Sequence, residues 1–157
     1  MRGKKQAKKR IIENDKRYNS ALVAELINKI LIGGKKAKSQ KIVYNTLEII
    51  EEKTKKPALE VFEEALRKAS PEVEVRSKRI GGATYQVPVE VSTNRKIDLV
   101  LRWLIQSTRG RQGKNMANYL SDEILAMYKG EGAVIKKKEN VHKMAEANKA
   151  FAHFARF

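Results

Sequence analysis

Basic residues beside glycines are the feature of this sequence that most strongly suggests chemistry. In Gly33-Gly34-Lys35-Lys36, small residues let the backbone approach a phosphate group while two lysines supply positive charge. The segment RSKRIGG at residues 76–82 places three cations before a double glycine, and STRGRQGKNMA at residues 107–117 adds three more. Arginine, lysine and backbone N–H groups are the usual contacts to a phosphodiester backbone. The pattern therefore predicts binding to a polyanion.

Catalytic and metal-binding chemistry is poorly supported by the residue inventory. The sequence contains no cysteine, which excludes a thiol nucleophile, a disulfide framework and cysteine-ligated zinc. Its two histidines, His142 and His153, are eleven residues apart, which matches neither an acid–base pair nor a metal motif. Residues 33–36 lack the first glycine, the spacing, the hydroxyl residue and the preceding strand of a P-loop. We expect no enzyme activity, no cofactor and no bound metal.

The charge balance supports the same interpretation. The 157 residues carry 34 Lys and Arg against 18 Asp and Glu, a formal net charge of +16. Such an excess is typical of proteins that bind nucleic acid or an anionic membrane surface. No apolar run approaches the roughly 20 residues that span a bilayer, and no apolar stretch follows the N-terminal charges. We expect an intracellular protein that does not enter a membrane.

The positive charge is concentrated at the two ends of the sequence. Residues 1–41 have a net charge of +10 and residues 75–157 a net charge of +9, whereas residues 48–74 have a net charge of −3. We interpret the acidic middle as a solvent-facing side and expect the two ends to converge on the polyanion. Residues 1–17 hold eight basic residues and few apolar ones, which predicts a basic arm that orders on phosphates; the alternative is a solubilising tail.

Apolar periodicity predicts a mainly α fold, with six helices in a single domain at residues 18–157. The predicted helices start after Ser20, at about residue 38 and near Pro57, and then cover about residues 95–109, 115–128 and 137–151. Between the third and fourth helices, at about residues 72–91, alternation of apolar and polar residues predicts one protruding two-stranded β-hairpin.

The turn of this hairpin can also be predicted. For Val73 and Val75 to face Val91 and Val89 across the two strands, the loop must hold an odd number of residues. We therefore expect a glycine bulge near Gly81-Gly82 rather than a two-residue turn. A two-stranded ribbon is marginally stable alone, so its base should rest on the helices.

Three separated motifs resemble those of a known family, the small-subunit ribosomal protein seven family in its bacterial form. The N-terminal signature is matched by Ser20, Leu22, Leu26-Ile27, Gly34-Lys35-Lys36, Ile42-Val43 and Thr46. RIGGATYQVPVEV at residues 79–91 matches the family's hairpin, and VHKMAEANKAFAH at residues 141–153 matches its C-terminal helix. One departure is Asp15-Lys16, where the family often has Asp-Pro before the first helix.

The resemblance implies six helices with a protruding β-ribbon, in a cytoplasmic protein of the small ribosomal subunit. It implies direct binding to the 3′ major domain of the ribosomal RNA, nucleation of head assembly, and a hairpin close to the exit-site transfer RNA and the messenger path. The implied protein partners are other head and platform proteins. A membrane contact and a functional homo-oligomer are not expected.

The expected RNA-binding residues lie in the arm, the first helix-end turn, the hairpin, the fourth helix, the loop after it and the last helix. They are Arg2, Lys4, Lys5, Lys8, Lys9, Arg10, Lys35, Lys36, Arg76, Lys78, Arg79, Gly81, Gly82, Arg95, Arg102, Arg109, Arg111, Lys114, Met116, Lys136, Lys137, His142, Lys143, Asn148, Lys149, His153 and Arg156. Those expected close to exit-site transfer RNA or messenger RNA are Lys78, Arg79, Gly81, Gly82 and Tyr85.

Two alternatives from other functional classes share the charge of this sequence. A nucleoid-type DNA-binding protein would usually dimerise through a spare apolar face, and no such stripe is evident. A peripheral membrane protein needs a basic helix with bulky aliphatic residues opposite, whereas the N-terminal segment offers only Ile11 and Ile12. Copurification of ribosomal RNA, rather than of DNA or lipid, would distinguish the three classes.

Overall fold

The structure is a computed structural model that describes residues 12–156, with side chains up to Phe154. Six of the expected RNA-binding residues at the start of the arm therefore lie outside the described residues, as does the side chain of Arg156. Those six are Arg2, Lys4, Lys5, Lys8, Lys9 and Arg10.

The described chain forms six α-helices, one antiparallel hairpin and a C-terminal 3-10 helix, which confirms the predicted mainly α fold. The elements are α1 (Ala21–Ile30), α2 (Lys36–Thr54), α3 (Ala58–Ala69), β1 (Val73–Ile80), β2 (Ala83–Glu90), α4 (Thr93–Arg109), α5 (Met116–Lys129), α6 (Ala133–Ala147) and the 3-10 helix (Lys149–Arg156).

Helix α4 is part of the hydrophobic core and contacts α1, α3, α5 and α6. Its buried residues are Leu99, Val100, Leu101, Trp103, Leu104, Ile105 and Thr108. Each fully buried aliphatic side chain of this kind contributes about 1.5–3 kcal/mol. Because α4 is anchored so firmly, its remaining polar stripe has a fixed direction relative to the rest of the domain.

The last helix differs from its predicted bounds at both ends. It begins earlier, after Gly132, because Val134 and Ile135 are buried and bring the first turn into the core. It ends earlier, at Ala147, and the chain continues as the 3-10 helix, which packs on β2. This change of helix type brings Phe151 to the ribbon.

The predicted odd-residue loop of the hairpin is wrong. Strand β1 pairs with β2 from Val73 opposite Glu90 to Ile80 opposite Ala83, which leaves a two-residue turn at Gly81-Gly82. The φ angles of these glycines are 56° and 93°, and positive φ at both positions is what a type I′ turn requires. Such a turn matches the twist of the two strands and needs no bulge.

The prediction failed because it assumed that the buried face of β1 is apolar. The structure buries Glu74, which is 7% exposed, while Val73 and Val75 are only half-buried. On β2 the fully buried residue is Val87, whose partner across the ribbon is Arg76. Ion pairs allow a carboxylate to occupy this face, and apolar alternation cannot reveal that.

Candidate nucleic-acid interface

Helix α4 carries a stripe of three arginines on its polar side. Arg95, Arg102 and Arg109 are spaced seven residues apart, which places successive members two helical turns, or about 10.5 Å, apart on nearly one face. The Arg95 and Arg102 side chains are 36% and 56% exposed. Asp98 lies between them on the same stripe, so one anion is set among the cations.

The Asp98 carboxylate collects three cations from two helices. Its Oδ2 atom accepts hydrogen bonds from Arg95 Nη1 and Arg102 Nη2, both at 2.9 Å. Its Oδ1 atom accepts from Lys29 in the last turn of α1. Because arginine–carboxylate bonds are charge-assisted and directional, Asp98 fixes the orientation of both guanidinium groups.

The Glu74 carboxylate extends this arrangement to the ribbon. Its Oε1 atom accepts from Arg76, with Nε at 2.7 Å, and its Oε2 atom accepts from Arg95 Nε and Nη2 at 3.3 and 3.2 Å. Arg95 therefore bridges Glu74 and Asp98, and it connects the base of the ribbon to the first turns of α4. We name this set, Lys29, Glu74, Arg76, Arg95, Asp98 and Arg102, the arginine row.

The protonation state of Asp98 is set by its position in the arginine row. Burial alone would raise the pKa of its carboxyl. The hydrogen bond from Lys29 and the positive charges of Lys29, Arg102 and Arg95 outweigh this effect and lower the pKa below its ordinary value. Asp98 is therefore ionised at neutral pH and binds its cations as a carboxylate.

The turn between α1 and α2 presents further cations beside this stripe. Lys35 and Lys36 are exposed and form no ion pair with any described residue. Gly33 and Gly34 precede them with φ angles of 59° and 74°, a region that favours glycine. The expected combination of accessible backbone and free lysine charge is therefore present in the structure.

Three predicted residues from separate segments meet near this turn. Arg109 Nη2 donates to the Ile30 carbonyl at 2.9 Å, which satisfies a carbonyl at the end of α1. Met116, at the start of α5, is half-buried and lines a shallow groove with Ile32, Lys35 and Arg109. The structure thus brings the first turn, the end of α4 and the start of α5 together.

Arg111 is used differently, because it binds a buried acid. Glu123 is 2% exposed; its Oε2 atom accepts from Arg111, and its Oε1 atom accepts from the Val134 N–H at 3.0 Å. The Arg111 guanidinium lies 5.8 Å from the centre of the Tyr119 ring. A Cβ atom on Gly132, which has a φ of +98°, would lie 2.8 Å from Glu123 Oε1. We name these four residues, Arg111, Glu123, Gly132 and Val134, the Glu123 centre.

The ribbon tip is partly covered by the C-terminal 3-10 helix. The Tyr85 ring lies 5.2 Å from that of Phe151 and 5.4 Å from that of Phe154, measured between ring centres. Lys78 Nζ donates to the Phe154 carbonyl at 3.1 Å. Arg79, next to the Gly81-Gly82 turn, is exposed. The structure therefore uses Tyr85 and Lys78 for internal contacts while Arg79 projects into solvent.

Helix α6 and the segment after it contain both exposed and engaged predicted residues. His142 Nε2 accepts from the Glu72 N–H at 3.2 Å, and Asn148 Nδ2 donates to the Met144 carbonyl at 2.7 Å. The His153 ring lies 3.9 Å from the Phe154 ring. The exposed lysines of the predicted set outside the α1–α2 turn are Lys114, Lys136, Lys137, Lys143 and Lys149.

The described end of the predicted arm is held against α2. Asp15 is buried; its carboxylate accepts from the backbone N–H groups of Arg17 and Tyr18 and from Tyr44 Oη at 2.7 Å. The hydrogen bond from Tyr44 to Asp15 is the main cause that raises the pKa of Tyr44. Arg17 pairs with Glu48 at 2.7 Å. The path of the chain into α1 is thus fixed from Asp15 onwards.

Sequence reasoning missed the acids that organise these cations, Glu74, Asp98 and Glu123. A signal was present for Asp98, because Arg95 and Arg102 lie three residues before and four residues after it on a predicted helix. Glu123 lies one helical turn after Leu120 on the buried side of α5, which marks a polar residue at a core position. Glu74 pairs with α4 at long range and had no comparable signal.

The fold and this face define a class of protein: a basic, mainly helical protein with ordered, exposed cations and a β-ribbon. Comparison with known sequences gives the family. The profile of the family described as Ribosomal protein S7p/S5e matches residues 1–149, and the chain belongs to this family.

Close relatives from several bacteria support this assignment. The protein named small ribosomal subunit protein uS7 from Chloroflexus aggregans is 55% identical over 148 residues, which are 94% of either chain. Proteins of the same name from Roseiflexus castenholzii and Thermotoga petrophila are 51% identical over 149 residues and 50% identical over 151 residues, covering 95% and 96% of this chain. The aligned regions cover 95% and 97% of the lengths of these two relatives.

Family membership confirms several predictions from the sequence. The chain is a structural protein of the small ribosomal subunit and not an enzyme. Ribosomal RNA and other ribosomal proteins are the partners that the family implies. Within the described residues, no helix is both long enough and apolar enough to cross a membrane.

Proposed function

We propose that the protein binds small-subunit ribosomal RNA directly, in its 3′ major domain, and nucleates assembly of the subunit head. The observation that carries the proposal is the arginine row, which runs from the ribbon base along α4 beside the lysines of the α1–α2 turn. Hydrogen-bonded, half-exposed guanidinium groups suit the phosphates of a folded RNA. The names of the relatives support a role in the small subunit.

The proposed contact residues fall into two groups by what they do in the free protein. The first group is exposed without an ion-pair partner among the described residues, and contributes charge alone: Lys35, Lys36, Arg79, Lys136, Lys137 and Lys143. The second group has side chains already oriented by internal bonds, as in the arginine row and Arg109. We propose that this second group fixes the position of the RNA, and that the arm at residues 1–17 adds further phosphate contacts.

We further propose that the ribbon tip lies close to exit-site transfer RNA and the messenger path. The tip residues concerned are Lys78, Arg79, Gly81, Gly82 and Tyr85. Each strand has eight residues, a length of about 26 Å, and the two-residue turn keeps the tip narrow. A thin basic ribbon suits a junction between RNA strands. Neighbouring head and platform proteins are the proposed protein partners, and the functional protein is a single copy.

Binding to a transcript of the 3′ major domain, measured at increasing salt, tests the proposal. If about 6–10 phosphates are neutralised, affinity should fall roughly 10³–10⁵-fold between 50 and 200 mM salt, taking the duplex-DNA relation as a guide. A transcript of the 5′ domain of the same RNA, matched in length, is the control for non-specific attraction and should bind more weakly at every salt concentration. Equal affinity for both transcripts would refute the domain assignment, and a salt-independent affinity would refute the polyanion contact.

A further inference from the structure

We propose that Glu74 and Asp98 are positioning residues for RNA binding, which hold Arg76, Arg95 and Arg102 in one row as a preformed site for consecutive phosphate groups. This inference rests on the proposed function, since it assigns a role to acids within the same face. It assigns to two acids a favourable effect on the binding of an anion. That sign is opposite to what their charge alone would give.

The order of charges along the row is the first argument. Arg76, Glu74, Arg95, Asp98 and Arg102 alternate in sign, and each acid accepts hydrogen bonds from the arginines on either side of it. Three guanidinium groups without these acids would repel one another and separate. The carboxylates keep the cations close together, as adjacent phosphates of one strand require.

The unused donors are the second argument. A guanidinium has five N–H donors, and Arg102 uses one of them on Asp98, so four remain. Arg76 uses two on Glu74 and keeps three. All three arginines are at least one-third exposed, whereas the Glu74 side chain is 9% exposed and that of Asp98 is 20% exposed. The acids lie beneath the row and the free donors face outwards.

The charge balance is the third argument. With Lys29 included, the row contains four cations against two anions and keeps a net charge of +2. Exposed ion pairs contribute little to folding stability, so a purely structural role would explain neither the excess of cations nor their exposure. Holding the arginine side chains in one geometry before binding reduces the conformational entropy that is lost when RNA binds.

The test exploits the opposite signs of the two explanations. Asp98→Asn and Glu74→Gln each remove one negative charge while keeping the side-chain shape. If the acids act only through their charge, both variants should bind the 3′ major domain transcript more tightly than the parent. If the acids position the arginines, both should bind roughly tenfold more weakly at fixed salt. Fluorescence anisotropy on the full chain measures this difference.

The matched control is Glu64→Gln, which removes the same charge from α3. Glu64 pairs with Lys68 at 3.0 Å on the acidic side of the domain, away from the arginine row. This variant should bind the transcript as tightly as the parent or slightly more tightly. Urea denaturation of every variant confirms that the folded fraction is the same during the binding measurement.

A second background separates positioning from a general effect on the fold. In a variant with Arg95→Ala and Arg102→Ala, Asp98 has no arginine left to position, so adding Asp98→Asn should cause no further loss of affinity. An equal loss in both backgrounds, or tighter binding of Asp98→Asn in the parent background, would overturn the inference while leaving the proposed function intact. Failure of the parent itself to bind the transcript would overturn both.

Discussion

The arginine row and the Glu123 centre both join arginines to acids, but they differ in exposure and in charge balance. In the Glu123 centre one acid meets one arginine and one backbone N–H, and the carboxylate is 2% exposed. In the arginine row, four cations share two acids, and the Arg76 and Arg102 side chains are 55% and 56% exposed. The Glu123 carboxylate has both oxygens bonded, although the Arg111 side chain is 38% exposed. The arginine row differs in its excess of cations over acids.

This difference separates a one-to-one pair that stabilises the fold from an excess of cations that is available to a partner. A buried carboxylate must be matched by local donors, and once both its oxygens are bonded the group has no further use outside the domain. Arg111 was predicted to contact RNA because its loop is basic, but its guanidinium also anchors that loop to α5. Basic composition alone cannot distinguish the two roles, whereas the number of cations that share each acid can.

The largest effect is expected from removing the acid of the Glu123 centre. Glu123→Ala leaves the Val134 N–H without its partner and removes the charge-assisted bond to Arg111, so it should lower the free energy of unfolding by about 3 kcal/mol. Urea denaturation followed by circular dichroism measures the loss. The control is Glu131→Ala, an exposed acid nearby, which should stay within about 0.5 kcal/mol of the parent. A loss below about 1 kcal/mol for Glu123→Ala would show that the centre is not structural.

Two arginine substitutions, one in each arrangement, should give a stability difference of intermediate size. Arg111→Ala leaves Glu123 buried without its cation and should lower the free energy of unfolding by about 2 kcal/mol. Arg102→Ala removes only one exposed bond to Asp98 and should change it by less than about 0.5 kcal/mol, yet it should weaken RNA binding. Urea denaturation and transcript binding, measured on both variants, test whether Arg111→Ala mainly loses stability and Arg102→Ala mainly loses RNA binding. Equal losses of stability for the two would remove the distinction between the centres.

The smallest effect is expected from neutralising Asp98, one of the two acids of the arginine row. The folded-state pKa of Asp98 is lowered from an ordinary value of 3.8, so its ion pairs contribute their full stabilisation above about pH 4 and lose it as pH falls through the lowered pKa. The parent should therefore be slightly more stable than Asp98→Asn between pH 5 and 8, and this advantage should disappear in acid. Thermal melting of both proteins from pH 2 to pH 8 is the measurement. An advantage that persists unchanged to pH 2 would contradict the assigned cause.

The helices could be predicted from the sequence because their apolar stripes repeat with the helical period. Val23, Leu26, Ile27 and Ile30 of α1 are all buried, as their spacing indicates. The ribbon could be located from the sequence, but its register could not. The alternation of valines predicted that Val73 and Val75 face the core, whereas the structure buries Glu74 between them. The face of β1 that packs is set by a long-range contact, the ion pair between Glu74 and Arg95 of α4.

The candidate interface was predictable to a similar degree. Its cations can be located from composition and spacing, and the structure adds that Lys35, Arg109 and Met116 line one groove. The sequence did not show which of these side chains are exposed and which make internal contacts. Lys78 and Tyr85 contact the C-terminal 3-10 helix, because the last helix ends at Ala147 and the chain turns back to the ribbon. Local periodicity contains no information on such a return.

The close approach at Gly132 restricts how this sequence can change. A side chain at this position would require a positive φ and would also displace the carboxylate of Glu123, whose Oε1 atom lies 2.8 Å from the place of the added Cβ. Displacing that carboxylate would free Arg111 and the start of α6 in one step. A change at position 132 is therefore tolerable only together with a shorter residue at position 123 and a new partner for the Val134 N–H. We therefore expect substitutions at positions 123 and 132, nine residues apart in the sequence, to be tolerated only as a pair.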